Sequence, residues 1–191
     1  CTIEVCVDQK LALAIGTERL PDDLDSHIYE AAAAFPLLVA SNMSIGVNLL
    51  YRLAEEAARS LGPDYAIGIV EAHHGAKRDS PSGTAVELQN LLARARQIDP
   101  RRGIVHGRHG EIGPRPRDEI GVHALRGGDI VGDHTVHLLG NGERIELTHS
   151  ASSRDTFALG ALRAARFLRE SPPGRYCLLY SSPRPRHATL F

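Results

Sequence analysis

Glu71-Ala72-His73-His74-Gly75-Ala76-Lys77-Arg78-Asp79-Ser80-Pro81-Ser82-Gly83-Thr84-Ala85 is the stretch that decides how this 191-residue chain is read. Ahead of it runs a short apolar segment, Ala66-Ile67-Gly68-Ile69-Val70. Behind it Val86, Leu88, Leu91, Leu92, Ala95 and Ile98 recur at spacings of two to four. The stretch is therefore a strand-to-helix connection that carries two adjacent imidazoles and an ammonium, and it enters the helix through Ser82-Gly83-Thr84. Free amides and the positive end of the helix dipole make such an entry an anion site. Gly83 lets a ligand approach the backbone, and the hydroxyls of Ser82 and Thr84 can donate as well as cap. Imidazole is the side chain best suited to giving up a proton near neutrality. A proton donor beside an anion cradle suits a small carboxylate or phosphate that must be protonated.

Working outward from this stretch, the pattern alternates strands and helices. Leu11-Ala12-Leu13-Ala14-Ile15 before Gly16-Thr17 reads as a buried parallel strand ending in a glycine turn. Asp22, Asp23, Asp25 and Ser26 favour the start of a helix running through Ala34, and a second strand is predicted at 37–40. Val47, Leu50, Tyr51, Ala54, Ala58 and Leu61 form one face of a helix that Gly62-Pro63 stops. A strand at 66–71 and a helix at 82–98 flank the central stretch, and a loop rich in Arg, Gly and Pro follows from about 100 to 117. Residues 118–149 read as three strands, with alternating Ile120, Val122 and Ala124, a turn at Arg126-Gly127-Gly128-Asp129, and a hairpin signal at Asn141-Gly142. Phe157, Leu159, Ala161, Leu162, Ala165 and Leu168 place a helix over 153–170, ended by Pro172-Pro173-Gly174. From Arg175 to Phe191 no period is visible. Disorder, a shifted reading frame or a natural extension would each fit that segment.

Bulk properties exclude several classes of function. A net charge of −1 offers no global field for nucleic acid or an anionic membrane. No apolar run approaches the roughly 18 residues of a membrane span. The basic loop, with Arg101, Arg102, His106, Arg108, His109, Arg115 and Arg117, has no interleaved aromatics and reads as a solvated connection. Three cysteines, an odd number without metal spacing, favour a reducing compartment. His73, His74 and Asp79 could chelate, but neither H-x-x-x-H nor C-x-x-C occurs, so no metal is expected. A serine hydrolase lacks its G-x-S-x-G elbow.

The motif E-A-H-H-x-x-K-x-D-x-P-S-G-T-A over 71–85 resembles the signature of the dihydrodipicolinate reductases, pyridine-nucleotide enzymes of the diaminopimelate and lysine pathway. Ser41-Asn42-Met43-Ser44-Ile45-Gly46-Val47-Asn48 resembles that family's crossover between domains. Arg126 to Thr135 and Leu147 to Arg154 resemble its later strands. The resemblance runs from about residue 1 to about residue 174.

That resemblance implies an α/β fold: a remnant of a Rossmann dinucleotide-binding domain, and an α+β substrate domain whose four-stranded mixed sheet carries helices on one face and builds a homotetramer. The implied domains are a partial dinucleotide-binding domain at 1–43, a substrate-binding and tetramerisation domain at 44–152, a helix returning to the first domain at 153–174, and an atypical tail at 175–191. The implied reaction takes hydride from NADH or NADPH to C4 of a cyclic unsaturated dicarboxylate, converting 4-hydroxy-tetrahydrodipicolinate to tetrahydrodipicolinate in the cytoplasm. His73 inherits the role of general acid. Lys77 is a further possible proton donor, and His74, Lys77, Ser82, Gly83 and Thr84 inherit the carboxylate contacts. Asp79 and Pro81 shape the loop. Gly16, Thr17, Ala40, Asn42 and Met43 fall where the cofactor contacts lie. The chain departs from the family in two places. Glu18-Arg19 follows Gly16-Thr17 where Thr-Gly is usual, and no G-x-G-x-x-G occurs anywhere. With Cys1 as first residue, the expectation is the C-terminal portion of a longer reductase. The alternative expectation is a silent fragment that keeps the substrate-domain fold, assembles, and binds dicarboxylates.

Overall fold

Two short apolar runs early in the chain pair with each other before the first long helix begins. The computed structural model describes residues 2–17, 28 and 30–181. Helix α1 (Thr2–Gln9) leads into β1 (Leu13–Ile15), which lies parallel to β2 (Pro36–Val39) with Leu13 opposite Leu37 and Ile15 opposite Val39. Helix α2 (Ile45–Leu61) buries Val47, Leu50, Tyr51, Ala54 and Ala58 at helical spacings. A 3₁₀ turn at Gly62–Asp64 follows it, and Gly62 has φ 62°, backbone that glycine adopts without steric cost.

Strand β3 (Ala66–His73) alternates between half-buried and buried, with Ile67, Ile69, Glu71 and His73 on the buried side. Helix α3 (Gly83–Arg96) starts at Ser82, whose Oγ accepts the Ala85 amide at 3.2 Å, and Gln97 ends it in left-handed backbone. There follow a helical turn α4 (Pro100–Gly103), β4 (Ile104–His106), β5 (Ile120–Arg126), β6 (Gly132–Leu139), β7 (Arg144–Ala151), helix α5 (Asp155–Arg169) and β8 (Gly174–Tyr176).

These elements form two compact units, one from Cys1–Asn48 with Asp155–Phe191 and one from Leu49–Arg154. The first holds an all-parallel sheet in the order β1-β2-β8, with α5 packed on β1 and β2. Leu38, Ala40, Ala164, Leu168 and Leu178 form one core, and Cys6, Ile28, Ala32, Phe35 and Leu37 another. Gly160 of α5 sits so close to residue 43 that any Cβ would run into the Met43 carbonyl oxygen.

The second unit holds a five-stranded mixed sheet in the order β4-β5-β3-β6-β7. β3 is its centre, parallel to β5 and antiparallel to β6. Side chains alternate between faces along a strand. One face therefore gathers buried Ile67, Ile69, Ile120, Val122, Val136 and Leu138. The other carries Gly68, Val70, His123, Leu125, Thr135, His137 and Thr148, all half-buried or exposed, with buried Gly121 beside Gly68.

Several expectations change. The sheet has five strands where four are expected, because Ile104-Val105-His106 pairs with β5 inside the segment read as loop; three residues are too few to show a period. Strand β3 runs two residues further than 66–71, so His73 is a strand residue rather than a loop residue. Residues 175–181 belong to the fold instead of opening an atypical tail. Arg175 and Tyr176 pair with Leu37 and Leu38, and Leu178 is fully buried. An open edge of β2 accepts a short partner that composition alone does not reveal. Residues 182–191 and positions 25–27 and 29 of the helix expected at Asp25–Ala34 lie outside the described residues; 30–31 are helical and 32–34 form a turn.

Candidate functional site

Side chains two apart on a strand project to the same face, so β3 delivers Glu71 and His73 together into the interior of the second unit. Glu71 is completely enclosed, and its carboxylate meets four donors. Oε1 accepts Arg126 Nη2 at 2.7 Å and the Ser82 amide at 3.0 Å; Oε2 lies 2.7 Å from Arg126 Nη1 and 2.6 Å from His73 Nδ1. Arg126 is the last residue of β5 and sits opposite His73 in the ladder. Beyond it, Gly127 donates to the His73 carbonyl, and the His74 amide donates to Ile130 at 2.8 Å. Burial pushes the Glu71 pKa up, yet the Arg126, His73 and Ser82 donors outweigh it and hold the carboxyl below its usual value. An enclosed carboxylate without such partners would cost several kcal/mol.

His134, on β6 opposite Glu71, stacks edge-on against His73 with ring centroids 5.1 Å apart. Its Nε2 is 2.9 Å from Ser82 Oγ. Burial, and secondarily the neighbouring His73, lowers its pKa to about 3, so it is a neutral wall at physiological pH. On the same strand Gly132 leaves room for His73: a Cβ there would stand 3.0 Å from His73 Nε2.

Ser82 joins these elements. Its amide serves Glu71, while its hydroxyl serves the Ala85 amide and His134. Expected to offer both groups to an anion, Ser82 engages both inside the protein, because the helix cap and the buried carboxylate require them. Gly83 and Thr84 occupy the first turn of α3, where helix geometry supplies no intrahelical acceptor for the amides.

Lys77 does not stand alone on its loop. Its Nζ is 2.9 Å from Asp79 Oδ2, which holds the Asp79 carboxyl below its usual pKa. The Asp79 carbonyl accepts Arg126 Nη2 at 2.8 Å, so Lys77 joins the Glu71–His73 network through two steps. His74 Nε2 lies 3.2 Å from Arg154 Nη2. A guanidinium only donates, so in this contact the His74 nitrogen is the acceptor.

The residues expected to meet a cofactor lie in the first unit. Gly16 and Thr17 follow β1 and are exposed. Ala40 follows β2, its amide donating to Ile15 at 3.0 Å. Asn42 Oδ1 accepts the Ser44 amide at 2.8 Å, and the Asn42 carbonyl accepts Asn48 Nδ2 at 2.7 Å. The Met43 side chain covers Gly16, whose Cβ would come 3.1 Å from Met43 Cε. These are the carboxyl ends of parallel strands, where open α/β sheets take nucleotides. An exposed glycine backbone beside a polarisable thioether fits the flat end of a dinucleotide; the chain carries no glycine-rich loop for a pyrophosphate. Glu18 lies outside the described residues.

Sequence reasoning left Glu71, Arg126, His134 and Arg154 without site roles. Glu71 had a readable signal, standing two residues before a histidine at a strand end. Arg126 was read as part of a turn, and only the pairing of β5 and β6 with β3 brings it and His134 to the site. Among the described residues no three His, Cys, Asp or Glu side chains group as metal ligands, and no helix is long and apolar enough to cross a membrane.

Comparison with known proteins places these features in a family. The family model described as dihydrodipicolinate reductase, C-terminus, matches residues 46–179. The chain is 49% identical over 174 residues to the 4-hydroxy-tetrahydrodipicolinate reductase of Myxococcus xanthus, covering 90% of this chain and 63% of that protein. It is 48% identical over 176 residues to the enzyme of the same name from Aquifex aeolicus, covering 92% and 65%. Among solved structures, a dipicolinate-bound dihydrodipicolinate reductase from Paenisporosarcina sp. TG-14 aligns with a TM-score of 0.73 at 24% identity, over 92% of this chain and 66% of that one. At that identity the likeness is one of fold.

Proposed function

The chain belongs to the dihydrodipicolinate reductase family, and on that premise we propose that it supplies the substrate site for NAD(P)H-dependent reduction of 4-hydroxy-tetrahydrodipicolinate to tetrahydrodipicolinate in cytoplasmic diaminopimelate and lysine biosynthesis. It spans about 63–65% of the length of the relatives above, so the activity of the whole enzyme is part of this proposal. The observation that carries the reading is His73, at the end of β3 and held against a buried carboxylate–guanidinium pair, just ahead of the loop that carries Lys77 and leads to the N-terminus of α3.

NADH or NADPH, when bound, supplies the hydride, and Gly16, Thr17, Ala40, Asn42 and Met43 are the residues proposed to hold it. His73 gives the proton from Nε2, the nitrogen turned away from Glu71. Lys77, His74 and the amides of Gly83 and Thr84 meet the two carboxylates of the substrate, with Ser82 fixing the helix entry. These donors neutralise charge that shifts as the ring is reduced. Dipicolinate, the ligand named for the solved relative, has the same two carboxylates and serves as a probe here. The open face of the second unit's sheet is proposed to build a homotetramer.

The test is paired. Dipicolinate binding is measured calorimetrically on this chain, and turnover is measured in a reductase polypeptide that carries this segment with the upstream residues its relatives have. His73→Gln is expected to lower kcat by roughly 10²–10⁴-fold with KM within a few fold, since a proton donor acts in the transition state. Lys77→Ala is expected to raise KM as well. Harmless His73→Gln with a silent His74→Gln would move the donor to His74. Dicarboxylate binding without turnover in the longer polypeptide would favour the silent, ligand-binding reading.

A further inference from the structure

We infer that Glu71 is a positioning residue for the proton donor, fixing which nitrogen of His73 carries the transferable proton; the inference rests on the reading of His73 as that donor. Glu71 cannot rotate freely. Its two oxygens are held by both terminal nitrogens of Arg126, at 2.7 Å each, and by the Ser82 amide at 3.0 Å. Strands β3 and β5 and the start of α3 thus clamp one carboxylate from three sides. Among the described residues, its remaining hydrogen-bond contact is His73 Nδ1, 2.6 Å from Oε2.

The consequence follows from donor and acceptor chemistry. An ionised carboxylate accepts hydrogen bonds and donates none. His73 Nδ1 therefore carries the hydrogen in both protonation states. In the neutral ring Nε2 is bare; in the charged ring Nε2–H is the proton that can leave. The opposite tautomer would place a lone pair against a carboxylate oxygen. Gly132 keeps the Nε2 side open, since a Cβ there would stand 3.0 Å away. His134, neutral and edge-on at 5.1 Å, restrains the ring plane without adding charge. Protonation and departure then happen at one nitrogen with no ring flip, the geometry that a proton donor needs.

A purely structural Glu71 would anchor Arg126 and Ser82 yet leave the tautomer of His73 unspecified, and this separates the two roles. In ¹⁵N-histidine-labelled protein at a pH where imidazoles are neutral, His73 is expected to show the Nδ1–H tautomer. Glu71→Gln presents an amide that can donate to Nδ1, so His73 is expected to shift towards the Nε2–H tautomer. In the reductase polypeptide carrying this segment, the same variant is expected to lose on the order of 10²-fold in kcat, the lower end for general acid catalysis, with KM within a few fold. Wild-type His73 in the Nε2–H tautomer overturns the inference, and needs no variant that could misfold. Glu71→Gln with kcat within about twofold of wild type, beside a His73→Gln that has lost turnover, overturns it too while leaving the donor assignment standing. Full turnover in His73→Gln removes the donor assignment and this inference with it.

Discussion

Lys77 and Asp79, two residues apart on the loop between β3 and α3, form an ion pair with Nζ 2.9 Å from Oδ2. The ammonium proposed to receive a substrate carboxylate already has a carboxylate partner. Asp79 is largely exposed, so the pair is screened and worth at most about 1 kcal/mol. A ligand carboxylate can displace it cheaply. Asp79→Asn is therefore expected to tighten dipicolinate binding by no more than about fivefold, the equivalent of 1 kcal/mol. Lys77→Ala is expected to weaken it by more than that. Calorimetric titration of both variants decides; weaker binding in Asp79→Asn would show that the aspartate orients the lysine instead of competing for it.

His134 gives the fold a pH dependence of definite sign. Its pKa falls from 6.5 to about 3 on folding, first through burial and then through His73. Between those values the unfolded chain binds a proton that the folded chain excludes. Stability is therefore complete above the unfolded value and declines as pH drops from 6.5 towards 3, by up to about 1.4 kcal/mol per pH unit. His149, lowered by burial, contributes in the same direction. Glu71, also lowered, adds a loss as pH falls through its own folded value. The urea midpoint is expected to fall between pH 7 and pH 4.5, with a shallower slope in His134→Gln. A flat wild-type profile would contradict the burial of a neutral His134.

Gly160→Ala tests the close approach of α5 to residue 43. Alanine in a helix is favoured over glycine by about 1 kcal/mol. Here its Cβ would meet the Met43 carbonyl oxygen, which is backbone and cannot turn aside. Overpacking of this kind costs about 1–3 kcal/mol or more. The net effect is expected to be a lower urea midpoint. A higher midpoint would mean that the helix shifts without loss.

Assembly through the open sheet face predicts a charge-sensitive oligomer. Thr135 lies between Val70 and Thr148 on that face, paired to Thr148 through hydroxyls 3.1 Å apart. Thr135→Arg places an unpaired cation in the middle of a face proposed to be buried. Light scattering is expected to report a tetramer for the wild type and smaller species for the variant. A wild-type monomer at high concentration would remove the tetramer proposal.

Much of this protein was legible in its residues. Continuous apolar runs located β1 and β2, and periodicity located α2, β3, α3 and α5, because each of these four buries one face at its own period; the Asn141-Gly142 hairpin appears where Gly142 takes φ 87°. β4 and β8 were not legible, since neither sits in a longer apolar run as β1 does, and each pairs only because a neighbour's edge is open. The motif at 71–85 located the histidines and the helix entry. It did not reveal that Ser82 faces inward or that Lys77 is paired.

What the sequence determined by itself is local: which segments are strand or helix, where a helix start offers amides, and which residue types can move a proton near neutrality. Each of these depends on neighbours within a few positions, where covalent spacing alone sets the geometry. What tertiary structure decided is the company those residues keep. Arg126 is 55 positions from Glu71, and His134 is 52 from Ser82. They meet because β5 and β6 flank β3 in register, and that register is fixed by burying Ile67, Ile69, Val122 and Val136 on one face of the sheet. A one-residue slip would turn Glu71 and His73 to the other face, so the packing of the core also orients the proton donor.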